Sequence, residues 1–127
     1  MNKKILIVED EMEIAKLFCE IFEGLENYET IYAVDGRQAL IYARANKPDL
    51  LLLDIQLPDL TGYEVCRLIK VDPALSNTKI LMISGLAPDS DWLKALEIGV
   101  DDCIAKPFCS SLLIEKIEGL LRSNQER

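Results

Sequence analysis

The 127 residues are 50 % hydrophobic and 28 % charged, enough apolar material for one domain with a buried core. Fourteen basic against 22 acidic side chains leave a net charge of −8, which argues against a chain that tracks nucleic-acid phosphates. There is no histidine, which excludes Ser-His-Asp and Cys-His catalysis, most zinc sites and any role as a phosphohistidine donor.

Lys4–Val8 predicts a first strand that stops at Glu9-Asp10-Glu11. Its apolar part, Ile5 to Val8, is too short for a signal-peptide core, and no later run nears the ~18 residues of a membrane span. Ile14, Leu17, Phe18, Ile21, Phe22 and Leu25 then keep the rhythm of one buried helix face, leaving Glu13, Lys16, Glu20 and Glu23 to water. A second strand is expected over Tyr28–Val34. Asp35-Gly36 caps a helix running to about Asn46, and Lys47-Pro48-Asp49 stops it. Leu50–Leu53 is four leucines in a row, the mark of a strand buried on both faces. Pro58 and Gly62 bracket the next loop, and Pro73 ends the helix after it. Lys79–Ile83 predicts a fourth strand. Pro88-Asp89-Ser90 opens a fourth helix that carries the single tryptophan, Trp92, and ends at Gly99. Trp92 is equally suited to a core edge or to an exposed partner contact. Cys103–Ala105 predicts the last strand, and Leu113, Ile117, Leu120 and Leu121 the last helix.

These are five strand–helix units with no internal linker, hence a single domain over 1–127 with a core of 4–122 and a polar tail at 123–127. Right-handed crossovers make an α/β flavodoxin-like (βα)5 fold, a doubly wound five-stranded parallel sheet with strand order 2-1-3-4-5. The cysteines Cys19, Cys66, Cys103 and Cys109 contain no C-x-x-C pair and read as reduced thiols, mostly small core residues, in a cytoplasmic protein.

Such sheets bind ligands at the carboxyl ends of their strands, beside the point where strand order reverses. Strand one ends in Glu9-Asp10, strand three in Asp54, strand four in Ser84-Gly85 and strand five in Lys106-Pro107. A single acidic residue after a strand is commonly a helix cap. Three at one edge are another matter, since two unit charges ~4 Å apart repel by on the order of 4 kcal/mol at an effective dielectric of ~20. A hard divalent cation such as Mg²⁺ offsets that repulsion. Lys106 is redundant beside a metal alone, but has a purpose if a phosphoryl anion joins it. Ser84 can hydrogen-bond such an anion and Gly85 leaves room for it. Asp54 is then the candidate nucleophile, giving an aspartyl-phosphate, with Glu9 and Asp10 as metal holders.

Ile5-Leu6-Ile7-Val8-Glu9-Asp10-Glu11, Pro48-Asp49-Leu50, Asp54-Ile55-Gln56-Leu57-Pro58 with Gly62, Ser84-Gly85, and Gly99-Val100-Asp101-Asp102 before Ala105-Lys106-Pro107-Phe108 occur in this order. From Lys4 to about Arg122 the chain resembles a receiver domain of the two-component response-regulator family, close to the stand-alone chemotaxis type. The resemblance implies that Asp54 takes a phosphoryl group from the phosphohistidine of a sensor kinase or a histidine phosphotransfer protein. It implies Mg²⁺ held by Glu9, Asp10, Asp54 and the main-chain carbonyl of Gln56, with Lys106 and Ser84 on the phosphoryl oxygens and a cis Lys106-Pro107 bond. It also implies a partner docking partly on the first helix, and output to a protein effector through the fourth helix, fifth strand and fifth helix.

Two residues depart from the family's habit. Glu9 stands where Asp is also frequent, and its longer arm is expected to reach the metal through water. Cys103 stands where Tyr or Phe usually swings inward on activation, so the change is expected instead in Ser84 and the loop from Gly85 to Pro88. The expected molecule is a monomer or weak homodimer that touches neither nucleic acid nor membrane and acts on no external metabolite. A catalytically silent receiver used for binding alone is the first rival, against which Asp54 and Lys106 stand. A flavodoxin-like mononucleotide binder is the second, against which Glu9-Asp10-Glu11 would repel the flavin phosphate. A Ser-Lys hydrolase from Ser84 and Lys106 lacks both S-x-x-K spacing and a nucleophile elbow.

Overall fold

The computed structural model describes residues 2–85 and 97–125, and its strands begin where the apolar runs do. Five parallel strands, β1 (Lys3–Val8), β2 (Tyr28–Ala33), β3 (Leu50–Asp54), β4 (Lys79–Ser84) and β5 (Asp102–Ala105), form one sheet in the order β2-β1-β3-β4-β5. Around it lie α1 (Met12–Glu23), α2 (Gly36–Asn46), α3 (Gly62–Val71), a 3-10 turn at Pro73–Leu75, and a C-terminal helix, Ser110–Gln125.

Strand side chains alternate between the two faces of a sheet, so an apolar run divides into two cores. Leu6, Val8, Leu51, Leu53, Ile80 and Met82 pack with residues of α2 and α3. Ile5, Ile7, Leu50, Leu52, Leu81 and Ile83 pack on the other face with Phe18 and Phe22 of α1 and Leu113, Ile117 and Leu121 of the C-terminal helix. The doubly buried third strand is therefore as expected.

Helix boundaries follow local chemistry. Asp35 accepts from the Gln38 amide at 2.8 Å to cap α2, and Lys47 ends that helix in the left-handed region. Thr61 and Glu64 form a reciprocal capping box at the start of α3. Strand β2 stops one residue short of the expected Val34, because the Val34 amide donates to Gln38 Oε1 of α2. The C-terminal helix runs three residues past Arg122, into what reads as a polar tail.

One expectation on α1 is corrected. Its buried positions are Ala15, Phe18 and Phe22, whereas Leu17 is 59 % exposed. At about 100° per residue, Leu17 lies roughly 200° round the axis from Ala15. The apolar stripe is wider than the strip of sheet beneath it. Pro88-Asp89-Ser90, Trp92 and most of the expected fourth helix lie outside the described residues; Gly99 beyond it has φ of 111°.

The loop from β3 to α3 closes tightly on itself, with the Gly62 amide donating to the Ile55 carbonyl at 2.7 Å. A Cβ at position 62 would come within 2.6 Å of the Asp54 carbonyl oxygen and 2.8 Å of Ile55 Cα. Both obstacles are backbone, so they cannot rotate away. Gly62→Ala should cost about 1–3 kcal/mol, the usual range for overpacking; a urea melt with an unchanged midpoint would contradict this.

Candidate functional site

Parallel pairing in register brings the strand ends together. Val8 lies opposite Leu53, Asp54 opposite Ile83, and Ser84 opposite Ala105. The residues at or just past those ends, Glu9, Asp54, Ser84 and Lys106, therefore share one edge of the sheet. Asp54, Ile55, Gln56, Ser84, Gly85 and Lys106 line a cavity there of about 180 Å³. A larger hollow of about 440 Å³ lies between α1 and the start of the C-terminal helix, but Ile14, Leu17, Phe18, Ile21 and Phe108 make it mostly apolar. It lacks the convergent polar groups that chemistry needs.

Asp54 is held from two sides. Its Oδ2 meets the Lys106 ammonium at 2.9 Å and its Oδ1 accepts from the Gln56 amide at 3.0 Å. The Lys106 amide in turn donates to the Ser84 carbonyl at 2.8 Å, which aligns the lysine with the fourth strand. Burial alone pulls the ammonium down, but the Asp54 carboxylate, aided by Glu9 and Glu11, lifts it above the ordinary lysine value. Lys106 is thus a firmly charged group. Ser84 is buried beside it, and the Lys106–Pro107 peptide is cis.

Glu9 is buried, with Oε1 accepting from the Glu11 amide at 3.2 Å. Its Oε2 is buried too, with no hydrogen-bond partner among the described residues. Burial, then the neighbouring Asp54 carboxylate, pushes the Glu9 carboxyl up to about 8, against smaller opposing effects of the Glu11 amide and Lys106. Glu9, Asp10 and Glu11 each place an oxygen within 4.8 Å of the others. Three clustered carboxylates with one buried oxygen lacking a partner fit a hard, oxygen-seeking divalent cation.

Two details differ from the expected ligand set. Glu11, read from sequence only as part of an acidic run, joins the cluster. It precedes α1 as N-cap, yet its side chain makes no capping bond and is therefore available. Asp54 is not one of the three, with Oδ2 turned to Lys106, but its carboxylate stands beside that of Glu9.

The thiols divide by burial. Cys66 and Cys103 are buried, Cys19 is half-buried and Cys109 is exposed, and all four are free. Burial, with a smaller push from Asp102, lifts the Cys103 thiol to about 11, so it is a packing group and not a nucleophile. The loop expected to move with Ser84 lies outside the described residues beyond Gly85.

The raised Glu9 carboxyl makes stability depend on pH when no metal is bound. The folded state holds this proton more tightly than the unfolded chain, so the contribution is complete below the ordinary value of 4.5 and fades as pH rises through about 8. In chelator, urea melts should show stability falling across that window, with a slope approaching ~1.4 kcal/mol per pH unit, the limit for one proton. Glu9→Gln should flatten that slope; an unchanged slope would rule out Glu9 as its source.

Residues 5–118 match the family of response regulator receiver domains. Over 126 residues, 99 % of this chain, the sequence is 36 % identical to the DNA-binding response regulator MtrA of Mycobacterium tuberculosis, of which it covers 54 %. It is 38 % identical over 125 residues to the alkaline phosphatase synthesis transcriptional regulatory protein PhoP of Bacillus subtilis, covering 98 % of this chain and 51 % of that protein. The chain thus spans about half the length of the curated relatives it matches. Among solved structures, a putative response regulator from Chloroflexus aurantiacus superposes with a TM-score of 0.90 at 30 % identity, covering 96 % of this chain and 99 % of that one. A CheY-like response regulator receiver domain protein from Methanospirillum hungatei superposes at 0.89 with 31 % identity, covering 99 % and 98 %.

Proposed function

This chain belongs to the response regulator receiver domain family, and from that premise we propose that it is a phosphorylation switch whose acceptor is Asp54. The observation that carries the reading is the Asp54–Lys106 pair, 2.9 Å apart at the carboxyl edge of the sheet beside buried Glu9. A carboxylate placed against an ammonium and an acidic cluster is equipped to receive one anionic group and hold it.

In the proposed reaction an Asp54 carboxylate oxygen attacks the phosphorus of a phosphohistidine on a sensor histidine kinase or histidine phosphotransfer protein. The oxygen–phosphorus bond forms, the nitrogen–phosphorus bond breaks, and its electron pair leaves with the imidazole. Attack by water later releases phosphate and restores the carboxylate. Lys106 exchanges its contact with Asp54 for one with a phosphoryl oxygen, and the Ser84 hydroxyl donates to another. Gly85 keeps the cavity open: among the described residues outside its chain neighbours, the only atom within 4 Å of a Cβ placed there is Lys106 Cδ, at 4.0 Å. Glu9, Asp10, Asp54 and the Gln56 carbonyl would hold Mg²⁺, with Glu11 as a further carboxylate; bound there, the ion neutralises charge that builds on the phosphoryl oxygens.

The chemistry is confined to the chain's own phosphorylation and dephosphorylation, so we do not class it as an enzyme. Met12, exposed in the first turn of α1 just after Glu9-Asp10-Glu11, offers the phosphodonor partner an apolar contact beside the acidic cluster. Output passes to a protein effector through the face that β5 and the C-terminal helix share with the segment read from sequence as a fourth helix, with the chain a monomer or weak homodimer. Relatives named as DNA-binding are about twice as long as the matched segment, and at net charge −8 this segment is a poor phosphate binder. We assign it no nucleic-acid contact. No helix among the described residues is long and apolar enough to cross a membrane, and we place the chain in the cytoplasm.

A small phosphodonor with Mg²⁺ should add one phosphoryl group, read by intact mass, and Asp54→Asn should abolish the gain. Full, acid-stable labelling of Asp54→Asn would overturn the assignment. Lys106 and the acidic cluster should fail in different ways. Lys106→Ala should keep Mg²⁺ binding but weaken capture of beryllofluoride, whereas Asp10→Ala should lose Mg²⁺ affinity itself. Equal loss of Mg²⁺ binding in the two variants would refute that division. Beryllofluoride with Mg²⁺ also tests the rivals, since a silent receiver or a mononucleotide binder would take up neither.

A further inference from the structure

We propose that Asp59 is a positioning residue: it latches the loop between β3 and α3 onto the start of α2, and so holds the Gln56 carbonyl in place for a metal ion. The inference rests on the functional reading above.

The first amides of a helix have no partner within the helix and carry the positive end of its dipole. In α2 the Gln38 amide is served by Asp35, the helix's own cap. The Gly36 and Arg37 amides instead donate to Asp59, 23 and 22 residues further along the chain respectively: Gly36 to Oδ1 at 2.8 Å and Arg37 to Oδ2 at 3.0 Å. The Leu60 amide adds a third bond to Oδ1 at 2.7 Å. Burial works against the charge on Asp59, but the amides outweigh it and hold the carboxyl below its ordinary value.

Packing reinforces the contact. A Cβ on Gly36 would lie 2.8 Å from Leu60 Cβ, so the loop seats directly on the helix backbone. Elsewhere the loop is tied near its ends, by Ile55 to the Ile83 carbonyl and by Gly62 back to Ile55, and Leu57 packs at the margin of the core beneath α2 and α3. Gln56, Leu57 and Pro58 span the gap between Ile55 and Asp59. Gln56 is exposed, and its amide is bonded to Asp54 Oδ1. Losing the latch removes the hold on the far side of this span and loosens it, so that the Gln56 carbonyl samples other directions. Affinity then falls in proportion to the competent fraction.

The test is a calorimetric Mg²⁺ titration of the full chain. Asp59→Ala should weaken Mg²⁺ on the order of tenfold, the loss expected if about one conformer in ten stays competent. Amide exchange over residues 56–60 should quicken in parallel. Asp35→Ala is the matched control: it removes the other cap of the same helix without touching the loop, and should leave Mg²⁺ affinity within about twofold of wild type. Asp59→Asn, which keeps an acceptor oxygen but loses the charge, should fall between, and decides by the same criteria if Asp59→Ala does not fold. Wild-type affinity in the Asp59 variants, or an equal loss in Asp35→Ala, would overturn the latch. Absence of Mg²⁺ binding by the wild type would instead overturn the functional reading, and the inference with it.

Discussion

Two carboxyl groups, those of Glu9 and Asp54, are buried at one edge of the sheet, and the Lys106 ammonium 2.9 Å from Asp54 lets them coexist there. Most of the structure around them serves that juxtaposition. Parallel strands in the order β2-β1-β3-β4-β5 are needed to bring residues 9, 54 and 106 to adjacent strand ends from so far apart in the chain. An ion pair with one partner buried and the other half-buried gains little net stability, because desolvation offsets most of the attraction. A site made of one such pair, plus a carboxyl driven toward its neutral form, is stabilising only once something else enters it. Its cost is the mark of a binding site.

Stability is supplied at the opposite edge. There Thr78 donates to the Pro48 carbonyl, and the Lys4 amide donates to Asp49 Oδ2. Asp101 Oδ2 accepts from both the Ile80 amide and the Lys70 ammonium, at 2.7 and 2.9 Å. These bonds fasten the amino ends of β1, β3 and β4 and the approach to β5. Asp49 and Asp101 on that side thus have their partners within the protein, whereas at the other edge a buried carboxylate oxygen of Glu9 has none among the described residues. The same strands present both, since an apolar run ends in a polar residue at each end.

Cys103 shows how a locally unusual residue is absorbed. It is buried in the same core as Met82 and Cys66, where a small thiol packs without asking for a hydrogen bond. An aromatic ring at this position would bring on the order of 150–250 Å² of apolar surface, and two alternative places to put it. A thiol brings little surface and one short rotor, so any coupling between the acceptor edge and the far face has to run through backbone and neighbouring side chains.

Strand positions, helix caps and the polar residue following each strand were legible in the sequence because each is decided within a few residues. Alternation of apolar side chains, a proline or glycine, or an Asp three residues before the amide it caps act locally, and they placed Asp54, Ser84 and Lys106 on one edge before any distance was known. Exposure of Leu17, the raised Glu9 carboxyl and the reach of Asp59 to α2 were not legible. Each depends on how a helix is rotated over the sheet, or on which charges face each other across space. Those are properties of packing between segments 20 to 100 residues apart, and only the tertiary structure decides them.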